Sequence, residues 1–180
     1  MKNLIIIWIS LFSSLSYSFE FRAPDYLSLQ TGGYTGFATL GAGYKLNNIW
    51  DLETQMGYTP YSLGGIDITT FDLKARWYHS KLILDDNMLL LGYFSSTFLY
   101  SNDKDMFVVL PAKYPRKYYD PSAIRWLFTF GSMFQIHDKY SFYIDYSYTD
   151  VELTKYYNNY EYLSLQNLGS IGLGIKYKIK

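Results

Sequence analysis

From Tyr26 onward, apolar and polar residues take turns one by one along the chain, and this two-residue period constrains the fold more than any other feature. In residues 50–60 (WDLETQMGYTP), Trp50, Leu52, Met56 and Tyr58 share one face while Asp51, Glu53, Gln55 and Thr59 share the other. In residues 69–78 (TTFDLKARWY), Phe71, Leu73, Ala75 and Trp77 oppose Asp72, Lys74 and Arg76. A period of two is that of a pleated strand; a helix would repeat its apolar positions every three or four. The same alternation runs through residues 38–46, 124–136, 142–149 and 171–179. Two weaker segments, 26–31 and 88–100, the latter apolar on both faces, complete a set of eight strands.

The connections predict how these strands are joined. Short turns at 47–49, 85–87 and 137–139 alternate with longer segments at 32–36, 61–66, 102–122 and the Tyr-rich 154–162. Segregation of loop lengths to opposite ends is what an up-and-down barrel with one face toward each compartment requires. The expected fold is therefore all-β, a single eight-stranded antiparallel up-and-down transmembrane β-barrel. The apolar stretch 106–110 leaves room for a ten-stranded variant. Residues 79–84 make the fourth strand too long for one crossing, which implies a bulge or a periplasmic extension.

Which face points inward is an energetic question. The chain has 49% hydrophobic residues, including 21 Tyr, 12 Phe and 4 Trp, and no apolar run after residue 18 is long enough for a membrane-spanning helix. With the segment 62–65 as the centre of its hairpin, Asp51 falls opposite Arg76, Glu53 opposite Lys74 and Gln55 opposite Asp72. Opposite charges directly across strands contribute roughly 0.2–1 kcal/mol a pair. The partner face then sets Trp50 against Trp77, Leu52 against Ala75 and Met56 against Phe71. This describes a lipid-compatible exterior around a charge network of Asp51, Glu53, Asp72, Lys74, Arg76, Arg125, Asp145 and Lys176, with Lys45 also on the inward face. Tyr44, Trp50, Trp77, Phe142 and Tyr177 fall at one end of the strands, and Tyr58, Tyr100, Trp126 and Tyr148 toward the other, as two headgroup girdles would. The competing reading is a soluble antiparallel barrel with its charges on the wet outside, which alternation alone leaves open.

The N-terminus adds a direction. Met1-Lys2-Asn3, an apolar run at 4–12 (LIIIWISLF) and small residues Ser16 and Ser18 follow the order of a signal peptide cut before Phe19. Residues 1–18 are thus expected to be an export signal and 19–180 the barrel domain, one domain in size. Without Lys2, the barrel carries 15 basic against 16 acidic residues and no basic run, so nucleic acid is not expected as a partner. The absence of cysteine excludes disulfides, thiolate metal sites and a thiol nucleophile.

On these features the chain resembles the small eight-stranded outer-membrane barrels of the OmpA/OmpX type. The resemblance is architectural and covers nearly all of residues 19–180. Its sharpest local feature is the last strand, GLGIKYKIK, where Gly174, Tyr177 and Ile179 look like the signal such barrels present to the outer-membrane assembly machinery, although the chain closes on Ile179-Lys180 rather than on an aromatic residue. The resemblance implies a bacterial outer-membrane location, a monomer in contact with outer-membrane lipid, and a scaffolding, adhesion or surface-interaction role.

Three functional classes follow. Binding at the outer rim rests on Tyr114, Tyr118, Tyr119, Tyr156, Tyr157, Tyr160 and Tyr162, since clustered Tyr gives rigid amphipathic contact area for an extracellular protein or glycan; the bland alternative is that these rings only pack the loops onto the rim. A narrow pore is the second class, although eight strands leave an interior that side chains fill. A lipid-modifying enzyme is the third, and no catalytic activity is expected. Only His79 and His137 are present, both near the short turns, and adjacent His79 and Ser80 should point to opposite faces. No cofactor is expected; Asp103, Asp105 and Asp120 in the longest loop are at most a weak calcium site.

Overall fold

A computed structural model describes residues 22–103, 105–109, 111 and 122–179. Eight strands form in chain order, each paired antiparallel with the next: β1 (Tyr26–Gly32), β2 (Ala38–Lys45), β3 (Trp50–Thr59), β4 (Ile68–Asp85), β5 (Met88–Asn102), β6 (Ile124–Ile136), β7 (Tyr140–Thr149) and β8 (Ser170–Lys178). β8 pairs with β1, so the sheet closes into a barrel with no free edge around its wall. Closure satisfies the backbone hydrogen bonds that hydrocarbon cannot. The stretch beginning at Met106 adds no strand among the described residues: the Phe107 carbonyl accepts the amides of Ser122 and Ala123, closing a loop. The barrel has eight strands, not ten.

The register of β3 on β4 is the one expected from a hairpin centred on 62–65: Asp51 faces Arg76, Glu53 faces Lys74, Gln55 faces Asp72, and Trp50 faces Trp77. Following paired residues once around the wall, from Met88 through Ile136, Tyr140, Tyr177, Leu27, Ala42, Thr54 and Leu73, returns to β5 at Phe98, ten residues further along. A stagger of ten residues at about 3.3 Å each, over eight strand spacings of about 4.8 Å, tilts the strands by roughly 40° to the barrel axis. At eight strands this gives a bore that side chains can fill.

The direction of the two faces follows. Glu53, Lys74 and Arg76 are at most 2% exposed, whereas Leu40, Leu73, Phe128 and Leu173 are 44–68% exposed on the outer wall. In water that exterior would be a continuous apolar surface far beyond the few hundred Å² a soluble monomer tolerates; in a bilayer it meets acyl chains. Trp50, Trp77, Phe94 and Phe130 make a row across four strands near the short-turn end, with ring centroids 4.9–6.3 Å apart. Tyr58 and Trp126 stand exposed toward the other end. Tyr148, expected in that second girdle, is instead buried, edge-on to Tyr146 at 5.1 Å.

Inside, three tyrosines each lie over a glycine that is their partner on the next strand: Tyr26 over Gly43, Tyr93 over Gly131 and Tyr143 over Gly174. A Cβ on any of these glycines would stand 2.1–2.2 Å from the ring. The missing side chain is what lets a ring lie flat against the wall and reach the axis.

Two segments read as loops contain helix. A short α1 (Tyr61–Gly64) fills the β3–β4 connection, ending on Gly65 at φ 73°. In the β7–β8 connection, α2 (Asp150–Asn158) starts from a capping box in which Thr149 and Glu152 satisfy each other's backbone amides. The Tyr-rich segment is therefore half helical. The long fourth strand proves to be both bulged and extended: register shifts fall between Tyr78 and Ser80 and between Ile83 and Asp85, and the β4–β5 hairpin runs on past the last β3 partner, Trp50.

Candidate functional site

The chemistry-bearing side chains converge in the lumen. At the centre, Arg76 Nη1 donates to Asp51 Oδ1 and Oδ2 at 3.1 and 3.2 Å and to Glu53 Oε2 at 3.0 Å. Its guanidinium carbon lies 4.9 Å from the centroid of Tyr93 and 5.6 Å from that of Tyr143, so two ring faces flank the cation. Lys176, from β8, reaches Asp51 Oδ2 at 3.0 Å and Glu53 Oε2 at 3.6 Å while resting 3.9 Å over the Tyr26 ring. Neutral donors complete the two carboxylates: Tyr78 on Asp51 at 2.7 Å; Ser28, Gln55 at 2.8 Å and Tyr26 at 3.2 Å on Glu53. Burying charges is costly unless each is paired and its remaining positions are bonded; the two carboxylates meet this condition, whereas Arg76 Nε and Nη2 have no hydrogen-bond partner among the described residues.

A second cluster sits alongside. Lys74 Nζ donates to Asp145 Oδ2 on β7 and to Gln30 Oε1 on β1, both at 3.2 Å. Tyr93 donates to Asp145 and Tyr143 to Gln30 Oε1, the latter at 3.1 Å. The register partner of Lys74 is Glu53, yet its ion partner is Asp145 across the lumen. Pairwise strand reasoning identified the charged set but not this exchange, because the long arms cross the bore rather than running along the wall.

The expected members divide as follows. Asp51, Glu53, Lys74, Arg76, Asp145 and Lys176 form the bonded network. Asp72 is buried in the same bore, with no hydrogen-bond partner on either carboxylate oxygen among the described residues. Arg125 lies apart from them, at the long-loop mouth, where it lines a recess of about 640 Å³ together with Thr70, Leu99, Glu152 and Lys155. Lys45 is exposed at the other mouth, a recess of about 580 Å³ that Lys81 and Lys178 also line. The tyrosines were absent from the interior list; the opposing glycines were the signal that could have revealed them.

At the long-loop end the structure builds a braced platform. Tyr34, in the β1–β2 loop, donates to Glu152 Oε1 at 2.5 Å and to the Leu168 carbonyl at 3.0 Å, and Tyr146 donates to the Gln166 carbonyl at 2.9 Å. Burial, then the bond to Glu152, pushes the Tyr34 hydroxyl well above its ordinary value. From this platform Tyr157, Tyr160 and Tyr162 project 65–87% exposed, while Tyr156 is half-buried. Tyr114, Tyr118 and Tyr119 lie outside the described residues.

The histidines require one correction. The bulge after Tyr78 turns Ser80 to the same side as His79: a Cβ on Gly92 would meet both Ser80 Oγ and His79 Cε1. They do not oppose each other as an unbroken strand would dictate. That side faces outward, with the His79 ring 4.6 Å from Phe94. His137 occupies the β6–β7 turn at φ 51°. Asp103 Oδ1 accepts the Asp105 amide at 2.8 Å, a local turn, and Asp120 lies outside the described residues.

No protein-family model and no curated protein matches the sequence. Among solved structures the chain is similar to the N-terminal β-barrel domain of Pseudomonas aeruginosa OprF, with a TM-score of 0.51 and 11% identity over 87% of this chain and 98% of that one. Weaker likenesses are to a de novo designed transmembrane β-barrel, with a TM-score of 0.46 and 13% identity over 88% and 98%. Another is the Yersinia pestis outer membrane protein Ail in a phospholipid nanodisc, with a TM-score of 0.41 and 13% identity over 88% and 100%. The likeness is one of fold, and it bears out the resemblance to small outer-membrane barrels.

Proposed function

We propose that this chain is an exported integral barrel of a Gram-negative outer membrane, with residues 1–18 as its signal. Its polar interior acts as a plug, and its long-loop end serves as a surface for binding an extracellular protein or glycan. The observation that carries the binding reading is the braced exposure of Tyr157, Tyr160 and Tyr162 on and beyond α2. A binding surface gains affinity when its contact residues need not be ordered on association. Here the capping box, Tyr34 and Tyr146 do that ordering in advance. Rings whose only role was to pack the loop would be covered by it.

The plug reading is supported by the crossing of Arg76, Lys74 and Lys176 through the bore, flanked by Tyr26, Tyr93 and Tyr143. Two measurements test the pair. Cells displaying the chain are compared with cells displaying a Tyr157→Ser, Tyr160→Ser, Tyr162→Ser variant for adhesion to immobilised matrix proteins and a glycan array. The expected result is lost adhesion with an unchanged heat-dependent gel shift, and equal adhesion counts against the surface. In planar bilayers the refolded chain should give no steady single-channel current; a steady current refutes the plug.

A further inference from the structure

Among the described residues, the bonded network of the bore leaves one buried carboxylate without a partner. Arg76 and Lys176 share Asp51 and Glu53, and Lys74 takes Asp145, which accounts for all three cations of the network. Asp72 remains, 6% exposed, with both Oδ1 and Oδ2 bonded to nothing among the described residues. Its register partner on β3 is Gln55, whose Nε2 is committed to Glu53 and whose Oε1 is unbonded. Diagonal to it on β5 is Thr97, the partner of Lys74, 1% exposed and also with an unbonded Oγ1. Four unbonded oxygens, one of the side chains a carboxylate, thus occupy adjoining inward positions on β3, β4 and β5.

An isolated carboxylate in such a place is costly unless a positive charge joins it. Lys74, two residues along the strand, is bonded to Gln30 and Asp145 rather than to Asp72. A proton would bridge two of the four oxygens, whereas a small hard cation takes oxygen ligands from all sides at once. One carboxylate with neutral amide and hydroxyl oxygens balances a single positive charge, not the two of calcium, which recruits several carboxylates. We propose that Asp72, Gln55 and Thr97 form a monovalent-cation site of the sodium type in the long-loop half of the lumen. Access is from above: Thr70, two residues from Asp72 on the same strand, and Leu99, its partner on β5, line the recess at that mouth.

The test uses the chain refolded in detergent. Its thermal midpoint is followed as sodium chloride is replaced by N-methylglucamine chloride, a bulky organic cation, at constant ionic strength. Binding only to the folded state makes the midpoint rise saturably with sodium, by about 2–4 °C for a domain of this size. Asp72→Asn is expected to abolish the dependence, and Thr97→Val to move the half-saturating sodium concentration several-fold higher. A midpoint indifferent to sodium, the outcome for a site holding only a proton or water, overturns the proposal. So does an Asp72→Asn chain with the wild-type dependence. If Asp72→Asn does not fold, an unaltered sodium response in Thr97→Val has the same force.

Discussion

Replacing Arg76 by Met tests whether the lumen is a dry network or a wetted pore. Met keeps much of the side-chain volume between Tyr93 and Tyr143 but removes three contacts of 3.0–3.2 Å to two carboxylates that are at most 1% exposed. Breaking a buried ion pair by removing one partner costs about 3–5 kcal/mol, since the other charge stays buried. The lower end applies here. Asp51 keeps Lys176 and Tyr78, and Glu53 keeps Ser28, Gln55, Tyr26 and the longer contact to Lys176. A loss of about 3–4 kcal/mol is therefore expected, read from urea unfolding in lipid vesicles. Adding Glu53→Gln removes the stranded charge, so the double variant should recover about 1–3 kcal/mol relative to additivity. A lumen filled with water would screen the pair and reduce the single-variant loss below about 1 kcal/mol. That result, with no coupling to Glu53, would refute the dry network.

The remaining predictions concern the wall, the ring packing and the outer turn. Leu73→Arg places a cation on the lipid face and should cost about 2–4 kcal/mol in vesicles, whereas Leu82→Arg, on the hairpin beyond the last β3 pair, should cost about 1 kcal/mol or less; equal costs would mean that the apolar band is misplaced. Gly131→Ala sets a methyl 2.2 Å from Tyr93 Cζ and should destabilise by about 1–3 kcal/mol through overpacking, with Tyr93→Phe in the same chain giving little relief because the ring remains. At the β3–β4 connection the Tyr58 hydroxyl at 2.7 Å, then the Tyr61 amide at 2.9 Å, hold the Asp67 carboxyl below its usual range. A depressed carboxylate contributes above its unfolded-state pKa and loses that contribution as pH falls through its folded one. Hydrogen exchange at Tyr61 should therefore accelerate only in acid below the ordinary carboxylate range, and Asp67→Asn should remove the step.

The wall was legible because its physics is local. A two-residue period sorts each strand into faces, and between β3 and β4 the hairpin centre gives the register while the charges exclude a slip of two in one direction, which would set Glu53 against Asp72. α2 was also readable: Thr149 followed by Glu152 is the capping-box spacing, and the density of Tyr after it drew the segment toward a loop instead. Strand length pointed to a bulge or an extension within residues 79–84, but the position of the bulge, at His79, was not readable. A bulge inserts one residue without changing residue type, so the strand periodicity that placed His79 and Ser80 on opposite faces had no mark of the interruption.

The lumen was legible as a set but not as a set of pairs, and the reason is geometric. Register within a hairpin concerns two strands, whereas the contacts across the bore join strands three steps apart, and their level depends on every register between them. The ten-residue stagger accumulates over all eight pairings, and it brings Lys74 of β4 to Asp145 of β7 and Lys176 of β8 to Asp51 of β3. A single error of two residues anywhere in the wall would move one side of the bore by roughly 7 Å along the strands relative to the other, more than an ion pair tolerates. The two cross-lumen pairs are thus a check on the six strand pairings that lie between their members. Exchanging the charges of Lys74 and Asp145 together should preserve folding if those pairings are right, while either reversal alone should fail, because like charges would then meet in a site that excludes water. A tolerated single reversal would show that the two arms do not meet.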